Sequence, residues 1–507
     1  MQHLSHQGIL LPKPYQPKAL LIKIRGQAIA LSPHQEEMAV AWAKKQGTDY
    51  VRDPIFIKNF FQDFTKTLGL QNDPITPEDI DFTEVIQTVE KEKLIKATLS
   101  KEEKKLQAQE RKQIREENRQ KYGYAIIDGI KTELGNYMAE PPSIFMGRGQ
   151  HPLRGRWKPE VKQTDITLNL SPDTPKPPGN WKAIIWQPNS MWIAKWDDPL
   201  RGREKYIWLA DSSQAKQQKE IDKFNKAKDL ADKIDQLQNY IKANLQSPEL
   251  KIRKIATAAY LIEELKLRVG DEKDPDEADT VGATTLRPSH IAINAQDRVT
   301  FDFLGKDSVR WQKEVTLPEE VVTNLKELID QAQKQTNTAE ATIFNGIRSE
   351  HINGFLSEIL PGLTAKVFRT YYASQIVRNS LEKANISLSE PIFVKKHVAT
   401  LANLEAAIML NHKRKPPKNW EESLSKKIAR LNTLSDSSKK TKTRTERLQS
   451  LDYKIREVKD TREYNLRTSL KSYIDPRIYY SWGKTIDFDW KLYYPKTLQT
   501  KFSWVEK

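Results

Sequence analysis

The chain has 507 residues, 38% of them hydrophobic, which is enough for two or more packed cores. Its 83 Lys and Arg against 67 Asp and Glu leave a formal net charge of +16, which favours a polyanionic partner: nucleic acid first, an anionic membrane surface second. The absence of cysteine excludes disulfides, thiol catalysis and Cys-ligated zinc, and the absence of HExxH, GxGxxG and the phosphate-loop pattern leaves nothing that points to a zinc hydrolase, a dinucleotide enzyme or a nucleotide-driven motor.

No apolar run is long enough to span a membrane, and Met1 to Pro14 lacks the layout of a signal peptide, so an intracellular protein is expected. Ser32-Pro33-His34-Gln35 has the pattern of a helix start, with Ser32 as N-cap and Gln35 reaching back. Lys101 to Lys121 is almost wholly charged or amide-bearing and predicts an exposed connecting helix at a domain boundary. Beyond it, the runs Asp165–Leu170, Trp181–Trp186, Met191–Trp196 and Lys205–Leu209, separated by Pro, Gly, Asn and Asp, predict antiparallel strands with mostly buried tryptophans. Ile252, Ile255, Ala259, Ile262 and Leu265 recur at helix spacing, with Gly270 as the stop. Val299–Leu304 and Val309–Val315 flank Gly305-Lys306-Asp307 and predict a hairpin. Helical patterns follow at Leu325–Ala332, Phe368–Leu381 and Val398–Leu410, the last ended by Pro416-Pro417. Two narrow apolar stripes, Trp420/Leu424/Ile428/Leu431 and Leu448/Leu451/Ile455/Val458, predict an antiparallel helical pair with a turn at Ser435–Ser438. The aromatic-bearing stretch from Asn465 onward is expected to dock on the main body.

Read one at a time, the residues of chemical interest have ordinary explanations. Arg268 fits the last turn of a helix, where a cation meets the dipole. Lys306 fits a solvated hairpin tip, Arg369 an early helical position, and His412 a helix end. Tyr473, three and seven residues beyond Leu470 and Leu466, fits a core position on one helix face. Asp487-Phe488-Asp489 reads as an exposed strand or turn in preference to a metal site.

Taken together, six local strings carry more. They are Leu267-Arg268-Val269-Gly270-Asp271-Glu272-Lys273, Ala278-Asp279-Thr280-Val281-Gly282, Phe301-Asp302-Phe303-Leu304-Gly305-Lys306-Asp307-Ser308, Thr364-Ala365-Lys366-Val367-Phe368-Arg369-Thr370-Tyr371, Asn411-His412-Lys413-Arg414 and Tyr473-Ile474-Asp475-Pro476-Arg477-Ile478. In residues, order and approximate separation they closely resemble the type IB DNA topoisomerases. The likeness extends upstream through Gly147-Arg148-Gly149-Gln150-His151-Pro152 to Pro14-Tyr15-Gln16-Pro17, and so covers nearly the whole chain.

The resemblance implies an α+β, multi-domain DNA clamp with a mainly helical catalytic domain like that of tyrosine recombinases. The expected divisions are a cap with connecting helix (1–121), a β-rich region (122–213), a helical core (214–415), a helical hairpin linker (416–462) and a small terminal domain (463–507). It implies Tyr473 as nucleophile, Arg268, Arg369 and His412 as phosphate-binding groups, and Lys306 as general acid, with double-stranded DNA as partner, no metal or nucleotide cofactor, no membrane association and a monomeric state. For DNA contact it nominates Arg148, Lys205, Tyr206, Gly270, Lys273, Thr280 and Lys366. Ser472 departs from the Asn usual in eukaryotic members, which puts sensitivity to camptothecin-type poisons in doubt. The short amino-terminal region and linker suggest an archaeal member acting at the nucleoid, with a nuclear location if the source is eukaryotic. The rivals are a tyrosine recombinase, disfavoured by Lys366 where that family places the His of its HxxR motif, and a non-catalytic DNA-binding scaffold.

Overall fold

The computed structural model describes residues 1–73, 75–271, 279–294, 296–335, 341–436 and 442–506. They fall into two compact units, one within residues 1–216 and one within 217–271 and 280–506. Together they make a multi-domain α+β protein.

The first unit opens with strands β1 (Leu4–His6), β2 (Leu21–Ile24) and β3 (Gln27–Ala30). Helix α1 (Pro33–Ala43) begins where the sequence places it, with the Ser32 N–H donating to Gln35 Oε1 at 2.8 Å. Then come α2 (Pro54–Thr67), β4 (Ile80–Asp81), α3 (Thr83–Thr98) and α4 (Lys101–Tyr122). The sheet β3-β2-β4 shares a core with α1 to α3 built on Trp42, Phe56, Phe60 and Phe64, whose rings stack, while Phe61 meets Trp42 and Phe60 edge-on, as aromatic quadrupoles favour. Helix α4 buries none of its residues, as its composition predicts.

After α4 the chain becomes strand-rich: β5 (Tyr124–Ile127), β6 (Ile130–Glu133), β7 (Ser143–Ile144), β8 (Trp157–Lys158), β9 (Thr167–Asn169), β10 (Ala183–Ile185), β11 (Trp192–Asp197) and β12 (Glu204–Trp208). Each of the four predicted runs overlaps a strand. One expectation needs correction: β9 and β10 pair in parallel, within a sheet ordered β10-β9-β11-β12. β1 pairs with β5, so the amino terminus belongs to the sheet that follows the long helix. Trp157, Trp192 and Trp196 are core residues, whereas Trp208 is exposed.

The second unit contains α5 (Gln214–Ala231), α6 (Ile234–Asn244) and α7 (Leu250–Leu265), then the meander β13 (Ile291–Ile293), β14 (Arg298–Gly305) and β15 (Val309–Thr316). Helices α8 (Glu319–Gln335), α9 (Ser349–Ser357), α10 (Ala365–Lys383) and α11 (Ile392–Met409) follow. α7, α8, α9 and the start of α10 pack with the meander around Phe301, Phe344 and Phe368. Helices α12 (Trp420–Ser435) and α13 (Lys442–Asp460) pair as the two stripes predict; Trp420 Nε1 donates to Val458 O at 3.3 Å and Ile455 is the one stripe residue that is fully buried. Of the turn predicted between them, Ser437 and Ser438 lie outside the described residues. The last helices, α14 (Leu466–Ser472), α15 (Pro476–Thr485) and α16 (Lys496–Lys501), dock through Leu470, Ile474, Tyr479 and Phe502 against Phe224, Ala373, Val377 and Ala402.

Candidate active site

Arg268 is not in the last turn of a helix. α7 ends at Leu265 because Lys266 turns left-handed (φ 55°), four residues before the expected glycine stop, and Arg268 lies in the extended segment beyond it. That segment is held by residues 282–284: Ala283 N–H donates to Arg268 O at 2.9 Å and Thr284 N–H to Val269 O at 2.8 Å. Gly270 (φ 80°) and Gly282 are pressed together, such that a Cβ on Gly270 would stand 2.7 Å from Gly282 Cα. Only glycine fits both the backbone conformation and the contact.

Lys306 lies at the tip of the β14–β15 hairpin, exposed, in a turn where Asp307 and Ser308 both take positive φ. A small cleft is lined by Arg268, Lys306 and Arg369 with Gly282, Trp311 and Asn411, so the hairpin tip and the two arginines share one cavity.

Arg369, early in α10 as expected, is 5% exposed. Its guanidinium donates to Lys266 O, just past the end of α7, and to Leu410 O at 3.1 Å, just past the end of α11. These carbonyls are orphans of two helix C-termini, which meet a cation favourably. Nη2 lies 3.4 Å from His412 Nε2, and the guanidinium sits 5.0 Å from the centre of the Tyr473 ring. Burial lowers its pKa to about 10, still well above neutrality.

His412 follows a left-handed Asn411 and is held by its backbone: its N–H donates to Ala407 O at 2.9 Å and its carbonyl accepts from Asn465 N–H at 2.7 Å. α11 ends at Met409, well before Pro416-Pro417, so it is this left-handed turn that stops the helix. Burial, and then Arg369 and Arg268, push the imidazole down to about 3, so the ring is neutral at pH 7. With Nε2 facing a guanidinium donor, the network assigns the proton to Nδ1. Nδ1 of His412 and Nε of Arg369 are buried without a hydrogen-bond partner among the described residues.

Tyr473 is the residue just past α14, not a position on its face; it is 8% exposed, with its ring 5.4 Å from that of His412. Burial alone would raise the phenol's pKa, but Arg369 and Arg268 outweigh it and hold the group below its ordinary value. A buried tyrosine more acidic than a free one is an unusual combination and suits a nucleophile. Ser374, which the sequence reading passed over, donates to Tyr473 O at 3.3 Å and accepts from Asp475 N–H at 3.1 Å. It stands five residues after Arg369 on α10, a spacing that could have drawn notice only once the tyrosine was placed beside that helix.

The nominated DNA contacts divide between the units. In the first, Arg148 is exposed on a loop whose neighbouring carbonyls, Pro152 O and Arg154 O, accept from Asn59 Nδ2 on α2 at 2.7 and 2.8 Å. Lys205 is engaged internally, donating to Glu140 at 2.7 Å and lying 3.2 Å from Asp198, and the Tyr206 hydroxyl donates to Glu204. In the second, Lys366 is exposed in the first turn of α10, Gly270 serves the close approach already described, and Thr280 is half-buried. Lys273 lies outside the described residues. Among the described residues there is no cluster of three or more potential metal ligands and no helix long and apolar enough to cross a membrane.

The segments just past three helix ends and the start of α10 bring two arginines, a histidine and an acidified tyrosine together, an arrangement suited to phosphoryl transfer, and comparison with known proteins gives the chain a family. Residues 1–209 match the family described as eukaryotic DNA topoisomerase I, DNA binding fragment; residues 212–445 match its catalytic core; residues 445–507 match the C-terminal topoisomerase domain. DNA topoisomerase 1 of Homo sapiens is 32% identical over 99% of this chain and 70% of its own length. DNA topoisomerase 1 beta of Arabidopsis thaliana is 33% identical over 99% of this chain, which spans 58% of that relative. The chain belongs to the eukaryotic-type DNA topoisomerase I family, the type IB enzymes. The relatives named are eukaryotic, and the archaeal expectation draws no support from them.

Proposed function

We propose that the protein relaxes positive and negative supercoils by cutting one DNA strand with Tyr473, holding the 3′ end as a phosphotyrosine ester, letting the free strand rotate, and resealing. The observation that carries this reading is the burial of Tyr473 against Arg369 and His412, with Arg268 acting on the same phenol. In-line attack by the Tyr473 oxygen forms a phosphorus–oxygen bond as the bond to the 5′ oxygen breaks. Charge builds on the non-bridging oxygens, where preorganised cationic donors act most strongly. The two guanidiniums and His412 are the donors for those oxygens, and the same guanidiniums favour the phenolate that attacks. Lys306, at the hairpin tip, protonates the leaving 5′ oxygen. One phosphoester is exchanged for another, so the 5′ hydroxyl can reverse the step without ATP.

The nominated DNA contacts, the five-part division expected from the sequence and the closing of the chain around duplex DNA as a monomeric clamp are parts of the same proposal, supported by the family membership. The site of action is the cell's DNA, in the nucleus if the source is eukaryotic. The test is supercoiled plasmid of either sign incubated with the protein in EDTA without nucleotide. Ladders of relaxed topoisomers are expected; an absolute requirement for magnesium, or strand exchange between two sites in place of relaxation, would overturn the reading.

A further inference from the structure

Helix α14 ends one residue before Tyr473, so the carbonyls of its last turn lack partners within the helix. Two of them are met by lysines from distant segments of the second unit. Lys501 Nζ, on α16, donates to Lys471 O at 3.1 Å, and Lys223 Nζ, on α5, donates to Ser472 O at 3.1 Å. One carboxylate holds both lysines: Glu220 lies 2.7 Å from Lys223 and 3.1 Å from Lys501. Lys501 is 7% exposed, and the Lys223 side chain is 13% exposed beside the Phe224 ring. Burial draws Lys223 down to about 8, with Glu220 pulling it up and Lys501 and Lys366 pushing it further down.

Burying two ammonium groups around a single carboxylate is costly, and such an arrangement is poor evidence of a contribution to stability. What it achieves is local. Residues 471 and 472 are pinned from one side, while Ser374 pins 473 and 475 from α10. The phenol therefore hangs from a backbone fixed at consecutive residues. We propose that Lys223, Lys501 and Glu220 are positioning residues for Tyr473, fixing the end of α14 so that the phenol stays in line with the scissile phosphate. The proposal rests on the assignment of Tyr473 as nucleophile made above.

Displacing a reacting group by about 1 Å can cost roughly 10²-fold in rate, so loss of one of two lysine anchors should slow cleavage by about tenfold or more. The experiment measures single-turnover cleavage and religation on a nicked oligonucleotide duplex, together with duplex affinity and thermal unfolding. Lys223→Met and Lys501→Met should slow cleavage and religation together, because both pass through one transition state, while binding DNA as the parent does. Lys223→Arg should restore most of the rate. Lys219→Met removes an exposed positive charge from the same helix and should cleave normally. Should Lys223→Met fail to fold, Glu220→Gln, which loosens both lysines and leaves them in place, is read by the same measurements. Parental cleavage rates in the folded lysine variants, or an equal loss in Lys219→Met, would overturn the proposal. A parent protein that forms no adduct at Tyr473 would instead overturn the nucleophile assignment.

Discussion

Replacing Lys306 with alanine, combined with a change of leaving group, separates acid catalysis from simple charge attraction. The side chain is exposed at the tip of a hairpin whose strands stay in register from Arg298↔Thr316 to Gly305↔Val309, so its removal should change folding stability by no more than about 0.5 kcal/mol. Any large loss of rate therefore reads chemistry. A lost general acid costs roughly 10²–10⁴-fold, which at about 1.36 kcal/mol per factor of ten amounts to about 2.7–5.4 kcal/mol of transition-state stabilisation. Losing one electrostatic donor costs about 10²–10³-fold, which overlaps that range. The assay is single-turnover cleavage of a duplex in which the bridging 5′ oxygen is replaced by sulfur. A thiolate leaves without protonation, so Lys306→Ala should cleave this substrate nearly as fast as the parent. Arg369→Ala, which removes phosphate charge stabilisation, should stay slow on it. If sulfur leaves Lys306→Ala as impaired as before, the acid assignment is wrong and the lysine serves the phosphate or the DNA.

Three further outcomes follow from the geometry. Tyr473→Phe should bind duplex DNA and form no covalent adduct; a stable 3′ adduct in that variant, seen on a denaturing gel, would place the nucleophile elsewhere. Gly270→Ala would set a Cβ 2.7 Å from the Gly282 backbone at a φ of 80°, so a loss of about 2–4 kcal/mol in denaturant unfolding is expected from overpacking and left-handed strain together, with slowed cleavage as Arg268 shifts; unchanged stability would refute the close contact. His412 titrates near 3 in the folded protein against 6.5 unfolded, so below pH 6.5 the unfolded state takes up a proton that the folded state refuses. Stability tied to this group is whole above pH 6.5 and should have fallen by about 2 kcal/mol at pH 5. His412→Asn should lose that part of the acid sensitivity in unfolding curves recorded between pH 7 and 5, and an unaltered slope would argue against a buried neutral ring.

The sequence exposes some of this architecture readily and hides the rest for physical reasons. Val299 and Val309 open β-rich runs on either side of a glycine turn, and the hairpin is there with Lys306 at its tip. The stripes from Trp420 and Leu448 foretell a helical pair because period alone determines which faces meet. The end of α7 is misread because a lysine, not a glycine, takes the left-handed position, and no propensity favours Lys266 there. The parallel pairing of β9 and β10 is invisible because three-residue strands carry no signal of direction. The gathering of Arg268, Arg369, His412 and Tyr473 is invisible to local pattern altogether, since it is made by packing among segments far apart in the chain. Only the likeness of six ordered strings drew those residues together on paper. The backbone carbonyls of Lys266 and Leu410, which seat Arg369, have no sequence signature at all.

That seating has a consequence for how the site meets its substrate. Arg369 is a buried cation seated on two peptide carbonyls and facing the Tyr473 phenol, with no carboxylate paired to it among the described residues. Partial charges at two helix ends keep the guanidinium in place without neutralising it. An aspartate in the same position would hold it more firmly, yet an incoming phosphodiester would then have to compete with a resident anion and shift it before every cut. Dipoles cannot be displaced and need not move. In the proposed reaction, the cation that greets the DNA backbone is thus already seated and unneutralised before the substrate arrives.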